Sequence, residues 1–350
     1  MSEVSFKGKI FRGESFEEGI ISIENRRISE RKKGKVEKVS YIIPPFIEAH
    51  IHGGWGYDFQ KGEFEELERE LLKRGNDLAI PTLMNDSLEN LKKISEIFTQ
   101  YRKKRPNTIF PFLRVEGPFI SEEKRGAQEK TSILKPTIKN IEKFLSIEAI
   151  KSFTFAPELE NSDYLVKKAL NMGKIPSIGH SNAKISDFKR VYALGVRHTT
   201  HFPNAMSPLH HREIGLTGAG FYYDLELEVI ADEVHSSKEF LKLLYKIKGN
   251  SFSLISDLIP QAFTNGEEKI IKDENGTLLG GATLVSEQIK LLKELSFSIE
   301  DIIKMASINN RKFFNLPIPY LREGEDASFL ILDEDLNLEK VFFRGEKVYP

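Results

Sequence analysis

All eight histidines of the chain fall between residues 50 and 235, in an order that chemistry could use. His50 and His52 stand two apart, so on a β-strand both side chains leave the same face. Glu116 ends the strand-like segment Leu-Arg-Val-Glu (113–116), and His180 follows Ser-Ile-Gly (177–179). His201 ends His-Thr-Thr-His (198–201), and Asp257 follows Leu-Ile-Ser (254–256). Imidazoles and carboxylates delivered from successive strand ends are what a hydrolytic metal site needs. Three protein ligands hold a divalent cation and leave a position for water, whose pKa then falls toward neutrality. The chain has no cysteine, so any metal is bound through nitrogen and oxygen, and disulfides and a cysteine nucleophile are excluded. Each residue taken singly has a plainer reading. A His-x-His pair can be an accident of core or surface, and Glu116 a buried carboxylate accepting backbone hydrogen bonds. His180 can cap a turn, and Asp257 can be a helix N-cap. Five such accidents, each at a strand end and in strand order, are improbable together. His198 is out of phase with His201 and reads, with His210, as structural; His211 reads as a spectator.

Residues so spaced need a scaffold that brings many strand ends to one rim. Strand-like apolar runs occur at Phe46–Ile51, Leu78–Thr82, Ile109–Val115, Ser152–Ala156, Ile175–Ile178, Arg197–His201, Glu226–Ile230 and Ser251–Ser256. Amphipathic stretches such as Glu63–Arg74, Leu88–Arg102, Tyr164–Met172, Ile185–Leu194 and Lys238–Lys246 separate most of them. Eight strands alternating with helices predict an α/β fold, a (β/α)8 TIM barrel over 44–319, whose chemistry belongs at the C-terminal strand ends. Pattern alone leaves a doubly wound open sheet as the alternative. The flanks, 1–43 and 320–350, have a different texture of short strands: Val4–Phe11, Ile20–Ile28 and Val36–Ile43 at one end, Ala327–Leu332 and Val341–Val348 at the other. They are expected to pair into one small β-sandwich domain beside the barrel.

Composition narrows the partners. Lys+Arg (51) and Asp+Glu (52) nearly cancel, so no long-range field is built for nucleic acid or an anionic membrane, and an anionic ligand must be held by a local site. Met1–Ile10 alternates polar and apolar residues without the apolar centre of a signal peptide. No apolar run approaches the roughly 18 residues of a membrane span, and the expected location is cytoplasmic.

The ordered motifs also resemble a known family. Pro-Phe-Ile-Glu-Ala-His-Ile-His-Gly-Gly (45–54) is similar to the opening of the amidohydrolase superfamily. Val-Glu-Gly-Pro-Phe-Ile (115–120), Lys-Arg-Gly-Ala (124–127), Thr-Phe-Ala-Pro-Glu (154–158) and Gly-His-Ser (179–181) narrow the resemblance. His-Phe-Pro-Asn-Ala-Met (201–206), Arg212, Asp-Glu-Val-His (232–235), Ser-Asp (256–257) and Leu-Gly-Gly (279–281) follow in the same order. Together they resemble the N-acetylglucosamine-6-phosphate deacetylase family from about residue 20 to 345.

The resemblance implies a homodimer that takes a small amino-sugar phosphate and removes its acetyl group. It assigns metal ligation to Glu116, His180 and His201, with His50 and His52 completing a second position that Glu116 bridges. One or two divalent metals are implied, and nitrogen and oxygen donors accept zinc, iron(II), cobalt or manganese. Asp257 is implied as general base and acid. Ala127, Gln128, Asn204, Ala205, Arg212, His235, Leu279, Gly280 and Gly281 match positions that contact substrate. Arg212 and His235 are the implied phosphate contacts, one of them arriving from the neighbouring subunit. Two departures stand out. Gln128 occupies a position where the family usually has histidine, and Glu233 places a carboxylate where it usually has glycine. The alternatives are a deacetylase of another N-acetylated sugar, such as N-acetylgalactosamine 6-phosphate, another N-acyl amidohydrolase, or a catalytically silent sugar-phosphate sensor. A cyclic-amide hydrolase is disfavoured because Ala-Pro (156–157), not a lysine, ends the fourth strand.

Overall fold

The computed structural model describes residues 4–33, 40–264, 270–274 and 276–350. Eight parallel strands form one curled sheet: Phe46–Ile51, Asn76–Leu83, Leu113–Phe119, Ile150–Phe155, Ile175–Ile178, His198–Thr199, Glu226–Val229 and Phe252–Leu254, each hydrogen-bonded to the next in chain order. That sequential order is a barrel's and removes the doubly wound alternative, which reverses its strand order at a switch point. The two edges meet past the eighth strand. Ile51 bridges Leu258 in parallel, and the Asp257 N–H donates to the His50 carbonyl at 3.0 Å. The Ser256 N–H donates to the Glu48 carboxylate at 2.9 Å.

The strands are mostly buried because helices cover the outside. The first, FIEAHI, has all six residues buried, as does the whole of the third, LRVEGPF. The helix Phe64–Lys73 turns Phe64, Leu67 and Leu71 inward, the three- and four-residue spacing of an amphipathic face. Leu88–Lys104 starts where Ser87 accepts the Asn90 N–H and ends on Arg102, Lys103 and Lys104, which suit the negative end of its dipole. The floor of the barrel is plugged from the C-terminal side of the chain. Phe313 stacks on buried His198 at 4.3 Å between ring centres, and Phe314 joins Ala49, Ile80, Ile230 and Ile255 in a small apolar cluster.

The chain ends share a second sheet. Its seven strands run in the order Glu346–Tyr349, Leu338–Phe343, Phe329–Leu332, Tyr41–Ile43, Val4–Phe11, Phe16–Glu24 and Arg27–Lys33. The two halves of the expected sandwich are thus hydrogen-bonded into one mixed sheet, with 4–11 and 41–43 parallel and 41–43 antiparallel to 329–332. The bridge Arg27–Asp326 curls the far edge back, and Ile10, Ile21, Ile42, Phe329 and Phe342 fill the concavity. The single strand predicted over Ile20–Ile28 is two strands. Asn25 and Arg26 both take left-handed φ, 49° and 68°, the geometry of a two-residue hairpin turn. Part of the strand predicted at Val36–Ile43 lies outside the described residues; Tyr41–Ile43 is a strand. Among the described residues no helix is long and apolar enough to cross a membrane.

Candidate metal centre and substrate cleft

The six residues singled out from spacing converge at the C-terminal rim of the barrel. His50 lies in the first strand and His52 just beyond it, while Glu116 lies in the third. His180 and His201 each follow a strand by two residues, and Asp257 follows the eighth by three. His180, His201 and Asp257 all have left-handed backbones, with φ of 46°, 32° and 52°. Such conformations cost of order 1–3 kcal/mol each for residues with a Cβ and persist where the surroundings fix them. Three of them at one rim mark a site that is held in shape before any ligand arrives.

Two groups of ligand atoms result, and Glu116 belongs to both. Its Oε1 lies 2.5 Å from His180 Nε2 and 2.7 Å from His201 Nε2, which are 3.0 Å from each other. Its Oε2 lies 3.0 Å from His52 Nε2 and 3.7 Å from His50 Nε2. Asp257 Oδ1 closes that second group at 3.2 Å from His52 Nε2 and 3.3 Å from His50 Nε2. All six side chains are buried. The other ring nitrogens explain which atom faces inward. His52 Nδ1 is 2.9 Å from the Thr82 carbonyl and His180 Nδ1 is 2.8 Å from the Lys124 carbonyl. A carbonyl only accepts, so each Nδ1 carries hydrogen, and Nε2 is left as the nitrogen that a cation would find facing the shared carboxylates, the usual outer support of a metal-binding histidine.

The charges are strongly coupled. Burial alone would raise the Glu116 carboxyl, but His180, His201 and His50 hold it well below the usual range. Burial likewise opposes the charge on His52, yet hydrogen bonds to Asp257 and Glu116 push its pKa up to about 10. Four imidazoles and two carboxylates facing one space are a donor set that fits one or two divalent cations, and a cation and these protons compete for the same nitrogens.

A cavity of about 210 Å³ opens over this centre. Of the positions predicted to contact substrate, Ala127, Gln128, Asn204, Ala205, His235, Leu279 and Gly280 line it. Gln128 is oriented by chemistry: the Asn85 backbone N–H donates to its Oε1 at 3.0 Å, which fixes its amide nitrogen as the remaining donor. His235 is held by Asp232, with Nδ1 2.8 Å from Oδ2; burial opposes its charge, but Asp232 raises its pKa. Glu233 does not line the cleft, and its carboxylate pairs with Lys238 at 3.0 Å. Arg212 is not in the cleft of its own chain. It is exposed, with its guanidinium 3.2 Å from His211 Nε2. Met84, Gly126, Thr277 and Leu278 also line the cavity; spacing did not single them out, and only their adjacency to strand ends or to predicted contacts hinted at them.

Gly281 sits behind the wall, where its N–H donates to the Asp257 carbonyl at 2.8 Å. A Cβ there would stand 1.9 Å from the Ser256 carbonyl oxygen, a backbone atom that cannot swing aside. Gly281→Ala is therefore expected to destabilise by about 1–3 kcal/mol or more. Thermal unfolding should show a Tm several degrees lower, with turnover reduced because Asp257 shifts; an unchanged Tm would mean this backbone approach is looser than described.

A curled barrel carrying nested histidine–carboxylate groups on its C-terminal rim defines a hydrolase of the amidohydrolase class. The sequence model of the Amidohydrolase family matches residues 41–348. The crystal structure of N-acetylglucosamine-6-phosphate deacetylase from Thermotoga maritima superposes with a TM-score of 0.91 at 34% identity, covering 99% of both chains. The deacetylase of that name from Lysinibacillus sphaericus is 29% identical over 327 residues, 87% of this chain and 84% of that one. A Mycobacterium smegmatis deacetylase crystallised with N-acetyl-D-glucosamine-6-phosphate shares the fold, with TM-score 0.90 at 20% identity over 100% of both chains. This chain belongs to the amidohydrolase family, in the branch of the N-acetylglucosamine-6-phosphate deacetylases.

Proposed function

We propose that the chain hydrolyses the acetamide of N-acetylglucosamine 6-phosphate to glucosamine 6-phosphate and acetate, as a cytoplasmic enzyme. The observation that carries this reading is Glu116, one carboxylate facing two histidine pairs beneath a cleft that also holds Asp257, Gln128 and His235. Glu116, His180 and His201 would hold a divalent cation, and His50 and His52 with Glu116 would offer a second position. A cation bound there would supply Lewis-acid polarisation of the amide carbonyl and would lower the pKa of the attacking water. Asp257 takes the proton of that water and delivers it to the sugar nitrogen as the C–N bond breaks. Gln128 donates its amide N–H to the carbonyl oxygen as charge builds there, in place of the family's histidine. Asn204, Ala205, Ala127, Leu279 and Gly280 shape the sugar pocket with Gly281 behind them, and His235, whose charge Asp232 favours, faces the phosphate. The barrel, 44–319, carries all of these groups, and the terminal sheet, 1–43 with 320–350, is the supporting domain.

The direct test is acetate release, with metal analysis of the purified protein, over N-acetylglucosamine and N-acetylgalactosamine, each with and without the 6-phosphate. Turnover confined to the phosphorylated gluco sugar is expected. Equal turnover of the unphosphorylated sugar would sink the phosphate assignment, and binding without turnover would make the chain a sensor.

Arg212 gives a sharper prediction. Because its guanidinium lies outside its own cleft, the reading places it over the cleft of a partner in a homodimer. Arg212→Ala should lower kcat/KM for the phosphorylated sugar by about ten- to hundredfold, the loss of a charge-assisted contact. Co-expressed with Asp257→Asn, it should regain activity in mixed dimers, where each defective subunit supplies what the other lacks. Absence of that rescue would put Arg212 to work within its own chain or nowhere.

A further inference from the structure

Beneath the metal candidates the barrel interior is not apolar. Arg114, from the third strand, reaches across to Glu228, from the seventh, and both are fully buried. Arg114 Nη2 donates to Glu228 Oε2 at 2.9 Å and to Thr200 Oγ1 at 3.0 Å. Its Nη1 donates to Glu228 Oε1 and, at 3.2 Å, to the Ala49 carbonyl. Barrel interiors are ordinarily filled by branched apolar side chains, and a buried ion pair seldom stabilises more than the apolar residues that could replace it. Stability alone does not account for the pair.

What Glu228 faces does. Its Oε2 lies 3.5 Å from His50 Nδ1, and its Oε1 lies 3.3 Å from His198 Nε2. Among the described residues His50 Nδ1 finds no closer hydrogen-bond partner, whereas His52 and His180 each set the same nitrogen against a backbone carbonyl. A carboxylate can take the carbonyl's place only if it stays ionised, because a protonated one would donate as well as accept. Arg114 secures that: both of its terminal nitrogens donate to the Glu228 carboxylate, one to each oxygen, and a guanidinium so paired favours the ionised form. An ionised oxygen at 3.5 Å attracts an N–H and repels a lone pair.

We propose that Glu228, locked by Arg114, is the positioning residue that keeps His50 in its Nδ1–H tautomer and so aims the Nε2 lone pair at the group shared with His52, Glu116 and Asp257. The inference rests on the metal-dependent reading above, but its test does not use turnover. Glu228 touches neither substrate nor metal; it acts through His50.

The pair is best replaced together, as Arg114→Met with Glu228→Met, so that no charge is left buried alone. The full chain is labelled with ¹⁵N-histidine, and the ring nitrogens are read by NMR before metal is added, at a pH where the His50 and His180 rings each show a single bound hydrogen. His50 in the wild-type protein is expected to carry its hydrogen on Nδ1, and in the double variant to lose that preference while His180 keeps its own. Zinc affinity, measured by chelator competition, should fall roughly ten- to hundredfold in the variant, the usual effect of losing such a partner, whereas a change within about twofold would overturn the inference. So would a wild-type His50 with its hydrogen on Nε2, a result that needs no variant to fold. Normal tautomers with no acetate release would instead count against the proposed function and leave this inference standing.

Discussion

Glu116→Gln should leave the protein folded, without bound metal and with acetate release at background. The geometry makes this the most damaging single change among the candidate ligands. Oε1 is within 2.7 Å of two imidazole nitrogens and Oε2 within 3.7 Å of two others, so one substitution takes a negative charge from both groups. Glutamine keeps the side chain's length and volume, so packing between Gly117 and the cleft is little changed. Losing His201 takes a ligand from one group only, leaving His50, His52, Glu116 and Asp257 in place. His201→Ala is therefore expected to retain part of its metal. Metal content after dialysis, beside circular dichroism for the fold, checks both variants. Full metal occupancy with normal turnover in Glu116→Gln would remove Glu116 from the centre.

The barrel was legible because parallel strands buried on both faces read as short apolar runs, and each of the eight predicted runs contains or overlaps a strand. The gathering of the candidate site was legible for a related reason: His180, His201 and Asp257 fall where apolar runs stop, and strand ends are where a barrel collects side chains. Reading failed where pairing is non-local or a turn lacks its usual markers. Asn25-Arg26 contains no glycine, and the apolar pattern runs on through the hairpin, so two strands looked like one. The expected pairing of the two flanks holds, but that residues 41–43 are the ones to meet 329–332 is something no local period encodes. Arg114 and Glu228 were visible only as charges inside Leu-Arg-Val and Leu-Glu-Val. Their meeting across 114 positions of sequence follows from barrel closure, not from spacing. Arg212 shows the reverse case. Its motif was legible, but its place outside its own chain's cleft belongs to three dimensions.

Asp257→Asn is expected to lower turnover by at least about a hundredfold, the range that general acid–base groups supply. The backbone around Asp257 holds the carboxylate still: its N–H donates to the His50 carbonyl at 3.0 Å, and its carbonyl accepts the Gly281 N–H at 2.8 Å. Burial would raise this carboxyl, but His50 and His52 lower it below its ordinary value, so at neutral pH it is ready to take a proton. Asparagine fits the same backbone and the same space and cannot accept a proton at that pH. The variant also separates two roles that the geometry allows, since Oδ1 is as close to His50 and His52 as a ligand would be. As base, Asp257 can be lost while the group of Glu116, His180 and His201 keeps its cation and substrate binding stays within a few-fold of normal. As ligand, its loss should lower metal content in proportion to turnover. Metal analysis and acetate release on the same preparation decide between them, and near-normal turnover would hand the proton to another group.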